Sequence, residues 1–169
     1  ALQEFDFPFI ELQTNGILFA EQKEKYAKFL KEWYEKGMTT VAVSVVHFNA
    51  EKNREIYLPH KKEYINLEAL VSLLHENKFS VRLVCMLADG FVDSAEKIKE
   101  LIAFAKKNKV EQLSLRPINK PVSSLSDSAE RWVNAHFIKD LQIKNIQKFP
   151  IEHCISNFLK STFFNNIVP

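Results

Sequence analysis

The chain is poor in cysteine and glycine, since its 169 residues include two Cys and three Gly. Cys85 and Cys154 stand far apart, and the sequence contains no Cys-x-x-Cys pair and no Cys/His cluster. We therefore expect neither a disulfide framework nor a metal site built from this chain's own side chains. Three glycines are too few for a phosphate-cradling loop, and no Ser, His and Asp follow the order of a nucleophilic triad.

The sequence also lacks an excess of one charge and any long apolar run. Lys and Arg number 23 against 21 acidic residues, which gives a net charge of +2 and no indication of nucleic-acid binding. No stretch approaches the roughly 20 apolar residues of a membrane helix, and the polar N-terminus does not resemble a signal peptide. We expect a cytoplasmic protein with no membrane partner. The chain starts at Ala1, almost directly in a strand, which predicts a fragment of a longer protein.

Apolar, β-branched segments alternate with amphipathic segments along most of the chain. The predicted strands cover residues 7–13, 39–46, 80–87 and 112–115. The predicted helices cover about 21–36, the stretches that begin at Asn66, at Asp93 or Ser94 and after Ser128, and a stretch near 152–161. Gly37 follows the first of these helices, at a position that needs a positive φ. The strand starts lie about 30 to 40 residues apart, which fits successive βαβ crossovers and parallel strands. The predicted fold class is α/β, with about four βα units in either a doubly wound sheet or a partial (β/α) barrel. We assign residues 1–149 to this domain and residues 150–169 to a C-terminal helix and tail.

Ligands of parallel α/β proteins bind at the C-terminal ends of the strands, where loops and helix N-termini converge. This rule selects polar residues at the end of each predicted strand: Gln13, Thr14 and Asn15, then Ser44 and His47, then Arg82 and Asp89, then Arg116 and Asn119. Thr14 and Asn15 also fit a plain turn with the glycine that follows, and Arg82 also fits a structural ion pair. Arg116 carries the planar guanidinium that suits a carboxylate or a phosphate.

The connection between the second strand and the next helix is long, running from His47 to Ile65. Strand–helix connections usually take roughly 2 to 6 residues, and longer loops often carry function. This one brings Asn53, Arg54 and several other polar side chains near the strand ends. It predicts either a solvated charged loop or a lid that faces a substrate.

The ordered set of segments resembles the radical SAM enzymes. Residues 14–18 (TNGIL) are similar to the end of their third strand, and residues 41–45 (VAVSV) are similar to their fourth. Residues 81–94 (VRLVCMLADGFVDS) look like the fifth strand and its loop, and residues 102–117 resemble the following helix and the sixth strand. The resemblance covers about residues 7 to 120.

The resemblance implies part of a (β/α) barrel whose full-length form binds a [4Fe–4S] cluster and cleaves S-adenosylmethionine to a 5′-deoxyadenosyl radical. Family members hold the cluster with three cysteines in a Cys-x3-Cys-x2-Cys loop after the first strand, and a Gly-Gly-Glu-like motif follows the second. This chain contains neither motif. It is therefore expected to begin at the third strand, to bind no cluster through cysteine and to be inactive alone. The full-length protein is expected to be an enzyme with a small-molecule or peptide substrate.

The resemblance also implies cofactor contacts for five residues. Ser44 matches a position on the fourth strand that contacts S-adenosylmethionine. Thr14 and Asn15 are expected at the barrel mouth, near the cofactor or the substrate. Arg116 and Ile118 are expected near the position on the sixth strand that flanks the adenosine.

Four residues are candidate substrate contacts. Arg82 matches a basic residue of the fifth strand that faces the barrel lumen and can hold a substrate. His47, Asn53 and Arg54 come from the end of the second predicted strand and the long connection after it. No catalytic residue is assigned.

Two other functions stay open from the sequence. The chain fits a non-catalytic α/β domain that binds a partner, or a second copy of itself, through the unpaired edge of its first strand. It also fits a phosphate-binding half-barrel enzyme that uses Arg116 and helix N-termini.

Overall fold

The computed structural model of the protein describes residues 7–120, 126–139, 143, 144 and 146. The strands are β1 (Ile10–Thr14), β2 (Met38–Val45), β3 (Ser80–Leu87) and β4 (Gln112–Pro117). The helices are α1 (Ile17–Glu21), α2 (Lys23–Glu35), α3 (Ala50–Tyr57), α4 (Leu67–Glu76), α5 (Ala95–Lys107) and α6 (Asp127–His136). Within these described residues, no helix combines the length and the apolar character that crossing a bilayer requires.

The four strands form one sheet in the order β1-β2-β3-β4, and every neighbouring pair is parallel. Each crossover therefore moves one strand further in the same direction. Right-handed crossovers that all move in one direction place their helices on the same face of the sheet, whereas a doubly wound sheet needs a reversal. This strand order is that of a (β/α) barrel segment, which decides between the two predicted architectures.

The main core lies between this sheet and the helices on its outer face. The odd-numbered residues of the central strands, such as Val43 and Leu83, are buried there against Leu30 of α2, Leu70 of α4 and other helix residues. A strand side chain alternates between the two faces of its sheet, so the even-numbered residues of β2, β3 and β4 face the opposite, inner side. The inner face would line the lumen of a barrel.

Local signals in the sequence place three of the helix ends. Asn66 accepts a hydrogen bond from the Ala69 amide and begins α4, and Ser94 does the same for α5 through the Lys97 amide. Gly37, after α2, has a φ of 94°, which side chains rarely tolerate. These predictions are confirmed.

The long connection after β2 was predicted as a loop, and that prediction is wrong in part. Residues 50–57 form α3, and Asn49 begins this helix by accepting hydrogen bonds from the amides of Glu51 and Lys52. The sequence signal for α3 is weak because the helix has only eight residues and a single buried one, Asn53.

Two strand boundaries also differ from the prediction. The first strand begins at Ile10, and Phe7 and Phe9 before it are each 50% exposed. The fourth strand extends through Arg116 and Pro117. Proline fits there because it is the last residue of the strand, at the edge of the described sheet.

The helix predicted after Ser128 is present as α6, but it packs less deeply than its apolar residues indicate. No residue of α6 is fully buried, and Trp132 and Val133 are half-buried. Phe137 lies just beyond the helix, and the fully buried residue in this region is Ile138. The predicted helix near 152–161 and the tail of residues 150–169 lie outside the described residues, so the division into two parts stays a prediction.

Candidate functional site

The inner face of the sheet carries a set of polar side chains at neighbouring register positions. Glu11 and Gln13 come from β1, Ser44 from β2, Arg82 from β3, and Gln112, Ser114 and Arg116 from β4. Four sequence-predicted residues, namely Gln13, Ser44, Arg82 and Arg116, are therefore brought to one face. Helices cover the outer face, so this polar face is the candidate functional site.

Arg82 connects three of the four strands across the inner face. Its Nε donates a hydrogen bond of 2.8 Å to Gln112 Oε1 on β4, and its Nη1 lies 3.0 Å from Glu11 Oε2 on β1. To reach Glu11 the side chain must pass over β2, where its register partner is Ala42. The small methyl group of Ala42 leaves room for this passage, so the ion-pair alternative for Arg82 is realised.

Glu11 was missed as a site residue by the sequence analysis. It lies in the middle of a short apolar strand, where a carboxylate needs a partner. Its partner Arg82 is 71 positions away in the sequence. The available signal was the isolated charge within an apolar strand, and Arg82 gives the same signal.

A second polar contact lies nearer the C-terminal ends of the strands. Gln13 Nε2 donates to Ser44 Oγ over 3.2 Å, which joins β1 to β2 on the inner face. Gln13 is exposed and Ser44 is half-buried. The amide and the hydroxyl are both accessible to a ligand that lies on this face.

Arg116 occupies the inner face close to the end of β4. Its register partner is Met86, four positions after Arg82, which puts Arg116 about 13 Å closer to the barrel mouth. The guanidinium is exposed and forms no hydrogen bond or ion pair with any group in the part of the chain that the structure describes. Its positive charge is thus available to an anionic group.

A small apolar group, which we call the rim cluster, covers the inner face at the strand ends. It is formed by Val46, Ala88 and Phe91, with Ile56, Tyr57, Met86, Ile118 and Trp132 packed against them. Ile118 is held in place because its amide donates to the Leu87 carbonyl over 3.2 Å. Both α3 and α6 contribute residues to this cluster.

Helix α6 is tied to the loop after β3 by hydrogen bonds between two residues. The Asp89 amide donates to the His136 carbonyl, and His136 Nδ1 contacts the Asp89 carbonyl, each over 2.9 Å. The ring of His136 also packs on Trp132 and Phe91. Asp89 therefore lies at the rim, as predicted, where its backbone anchors α6.

Thr14 and Asn15 form the turn that follows β1. Thr14 Oγ1 accepts from the Gly16 amide over 3.1 Å, and Asn15 Oδ1 accepts from the Ile17 amide over 3.2 Å. Gly16 has a φ of 72°, and a Cβ added there would lie 2.4 Å from Leu70 Cδ2. The plain-turn alternative is therefore present, and a ligand contact of these two side chains stays a prediction.

His47 and Asn53 belong to a buried network that joins the end of β2 to α3. Asn53 is fully buried; its Oδ1 accepts from the Val46 amide over 3.0 Å, and its Nδ2 donates to the carbonyls of His47 and Asn49. His47 is 6% exposed, and its Nδ1 accepts from the Asn49 amide over 2.9 Å. Burial lowers the pKa of His47, and the positive charge of Lys97 lowers it further.

Arg54 of α3 is also held by hydrogen bonds within the protein. Its guanidinium donates to both carboxylate oxygens of Glu51 and, over 2.9 Å, to the Lys61 carbonyl. It thereby holds the segment after α3 against the helix. A substrate contact of His47, Asn53 or Arg54 is not tested by these arrangements and stays a prediction.

Cys85 lies on the outer face of the sheet, away from the inner polar residues. It is fully buried, and burial raises the pKa of its thiol to about 12. The hydroxyls of Tyr57 and Tyr64 are buried without a hydrogen-bond partner in the described chain, and burial raises the pKa of Tyr57 to about 12.

Among the described residues, no three His, Cys, Asp or Glu side chains are arranged to hold a metal ion.

A groove of about 670 Å³ lies away from the inner face, between the end of α1 and the start of α4. Lys61 and Lys62 from the long connection line it, and an ion pair between Lys61 and Glu21 crosses it. None of the residues predicted to bind a cofactor contributes to this groove.

No family model and no curated protein matches the chain. Solved structures with a similar fold exist, and the coproporphyrinogen III oxidase HemN from Escherichia coli, a radical SAM enzyme, is one of them. It shares 14% identity, with a TM-score of 0.59 over 88% of this chain. The protein anSMEcpe, solved with bound AdoMet and the Cp18Cys peptide, shares 16% identity, with a TM-score of 0.57 over 86% of this chain.

The chain spans about a third of the length of these structures, 32% of HemN and 36% of anSMEcpe. At such low identity the likeness concerns the fold. The parallel strand order and the helices on one face agree with it. The chain therefore has the fold of part of a radical SAM enzyme barrel.

Proposed function

We propose that this chain forms one wall of the cofactor and substrate pocket in a longer radical SAM enzyme. The observation that carries the proposal is the polar inner face, where Gln13, Ser44, Arg82 and Arg116 come together on a sheet with this fold. An apolar outer face and a polar inner face are expected when the inner side lines a pocket.

The residues near the strand ends fit S-adenosylmethionine by their chemistry. The Ser44 hydroxyl and the Gln13 amide offer hydrogen bonds to ribose or amino-acid groups, and the rim cluster residue Ile118 offers an apolar surface to an adenine ring. The free guanidinium of Arg116 suits a carboxylate. S-adenosylmethionine, when bound beside a reduced cluster, supplies the 5′-deoxyadenosyl radical of this family.

The residues of this chain do not fit the iron–sulfur cluster itself. Such clusters need several thiolates, whereas Cys85 is the sole described cysteine, is buried on the outer face and has a raised pKa. We therefore derive no cluster ligand from this chain. In the proposal, the cluster is held by a segment of the longer protein.

The substrate is proposed to lie above the bridge formed by Glu11, Arg82 and Gln112. The ion pair compensates the charge of Arg82, so the floor of this pocket is polar but nearly neutral. Arg116, closer to the mouth, is the uncompensated cation. We propose a small molecule or a peptide as the substrate.

Production of 5′-deoxyadenosine tests the proposal. The full-length protein is expressed, reconstituted with iron and sulfide under anaerobic conditions, reduced, and incubated with S-adenosylmethionine. We expect 5′-deoxyadenosine to form, and we expect Ser44→Leu to lower its rate by about tenfold or more, because the larger side chain fills the inner face.

A matched control is Ser72→Leu, the same change at an exposed position on α4. It is expected to leave the rate unchanged. A protein that shows the absorbance of a reconstituted cluster but forms no 5′-deoxyadenosine would overturn the proposal.

A further inference from the structure

The junction between β2 and α3 depends on one histidine nitrogen that must stay unprotonated. His47 Nδ1 accepts the hydrogen bond of the Asn49 amide. Asn49 in turn begins α3, because its Oδ1 accepts from the amides of Glu51 and Lys52. A proton on Nδ1 turns this acceptor into a donor that faces another donor, so the contact is lost.

The surroundings of His47 oppose a positive charge on its ring. The ring is 6% exposed and packs on Phe48, with the ring centres 4.2 Å apart. Lys97 on α5 and Lys52 on α3 act against protonation, while Glu100 on α5 and Asp93 before α5 act in its favour. Lys97 pairs with Glu100 and Lys52 pairs with Glu55, which leaves burial as the largest effect.

The sign of the resulting pH dependence follows from this burial. The pKa of His47 is lowered from its ordinary value of 6.5 in the folded protein, so the unfolded or opened chain binds the proton more readily. Stability from His47 is then fully present above about pH 6.5 and is lost as the pH falls towards the folded-state pKa.

Loss of this contact has a consequence at the mouth of the inner face. Ile56 and Tyr57 of α3 pack on Val46 and Phe91 in the rim cluster. Asn53 is the one fully buried residue of α3, and Tyr57 near the end of the helix packs against both the main core and the rim cluster. Protonation of His47 removes its contact to Asn49 and leaves the Asn53 hydrogen bonds and the packing of Tyr57, so it raises the population of the open helix from a low level.

We propose that His47 is a pH-sensitive latch, whose protonation favours the opening of α3 from the end of β2, which uncovers the rim cluster. The latch acts on access to the inner face and does not require that the inner face bind S-adenosylmethionine. Its test is therefore independent of the function proposed above.

Two substitutions at His47 separate its role as a hydrogen-bond acceptor from its ability to take up a proton. In His47→Asn, the side-chain oxygen can replace Nδ1 as acceptor and cannot be protonated in this range. In His47→Gln, the amide reaches the position of the other ring nitrogen, so the acceptor for the Asn49 amide is lost. His75→Asn on α4 is the control, because it makes the same substitution at a histidine outside the junction.

Hydrogen–deuterium exchange of residues 49–57 at about pH 7.5 and about pH 5.5, corrected for intrinsic exchange, measures the opening of α3. We expect opening in the natural protein to rise by up to about tenfold at the lower pH. His47→Asn should stay protected at both pH values, His47→Gln should be open at both, and His75→Asn should respond like the natural protein. The peptide of α5, residues 95–107, reports whether each variant is folded.

Two outcomes would overturn the latch. One is a His47→Asn variant whose α3 responds to pH as the natural protein does. The other comes from the natural protein alone, where NMR titration gives the midpoint of the His47 ring. If the opening of α3 does not rise below about pH 6.5 and level off near that midpoint, His47 is not its cause.

Discussion

Asn53 replaces a hydrophobic anchor at the junction of β2 and α3. Its side chain is fully buried and bonds to three backbone groups, at Val46, His47 and Asn49. Removal of a buried partner leaves each of these groups to bear its desolvation cost. The residue is therefore structural in the folded protein, whatever it does in addition towards a substrate.

Asn53→Ala should lower the free energy of unfolding by about 2 to 4 kcal/mol, because the buried Val46 amide and His47 carbonyl lose the side chain that bonds them. Urea denaturation measures this change. Asn108→Ala, which removes a single hydrogen bond to the Phe104 carbonyl at the end of α5, should cost about 1 kcal/mol or less. Equal costs for the two variants would contradict the structural role of Asn53.

Gly16 and Gly37 differ in the space around them. Both have positive φ, but a Cβ would meet Leu70 at 2.4 Å only at Gly16, whereas nothing lies within 4 Å of Gly37. We expect Gly37→Ala to cost about 1 to 2 kcal/mol from its backbone alone, and Gly16→Ala to cost about 1 to 3 kcal/mol more.

Thermal denaturation of the two glycine variants measures the difference. Leu70→Ala should lower the stability less in the Gly16→Ala variant than in the natural protein, because removing the Leu70 side chain relieves the clash with the new Cβ. Simple additivity of the two changes would show that the close approach of Gly16 and Leu70 is not what requires glycine.

Residue-scale prediction from the sequence succeeded where the physical cause is local. The caps at Asn66 and Ser94 and the turn glycine at Gly37 depend on neighbours within four residues. The bridge between Glu11 and Arg82 could not be predicted from the sequence, because that contact exists only after β1 and β3 have joined the sheet.

At the scale of elements, the bridge of Arg82 to Glu11 and Gln112 fastens β1 and β4 to β3 on the inner face. Both ionic side chains are about one-fifth exposed, at 23% and 21%. A double-mutant cycle with Glu11→Gln and Arg82→Met should give a coupling of about 1 to 2 kcal/mol.

The exposed pair of Lys97 and Glu100, at 41% and 50% exposure, provides the comparison for this cycle. Exposed pairs one turn apart on a helix couple by less, about 0.5 kcal/mol. If both pairs couple equally, the inner-face bridge is an incidental surface contact.

Element prediction worked for the strands and for the longer helices, since each buries a periodic apolar stripe. Leu67, Leu70, Val71 and Leu74 of α4 are buried as the spacing predicts. The helix α3 escaped prediction because its buried residue is polar and its apolar residues, Ile56 and Tyr57, come only at its end. Such a helix is stabilised by its tertiary contacts, which the periodicity of its sequence does not reveal.

At the scale of the whole molecule, the choice between a doubly wound sheet and a barrel segment depends on strand order. The spacing of strands and helices is the same in both, so the sequence pattern alone left them open. The order β1-β2-β3-β4 agrees with α2, α4 and α5 packing on one face of the sheet, which leaves the other face to the polar residues. The polar face carries Ser44, Arg82 and Arg116, although their strands are separated by long helical connections.

The most direct test of the account is the affinity of the reconstituted full-length protein for S-adenosylmethionine, measured by calorimetric titration. Because Ser44 lies on the inner face, Ser44→Leu should weaken binding about tenfold or more, which corresponds to about 1.4 kcal/mol. Ser72→Leu, on the outer helix α4, should bind like the natural protein. If Ser44→Leu binds S-adenosylmethionine with unchanged affinity, the inner face of this sheet is not the cofactor's wall.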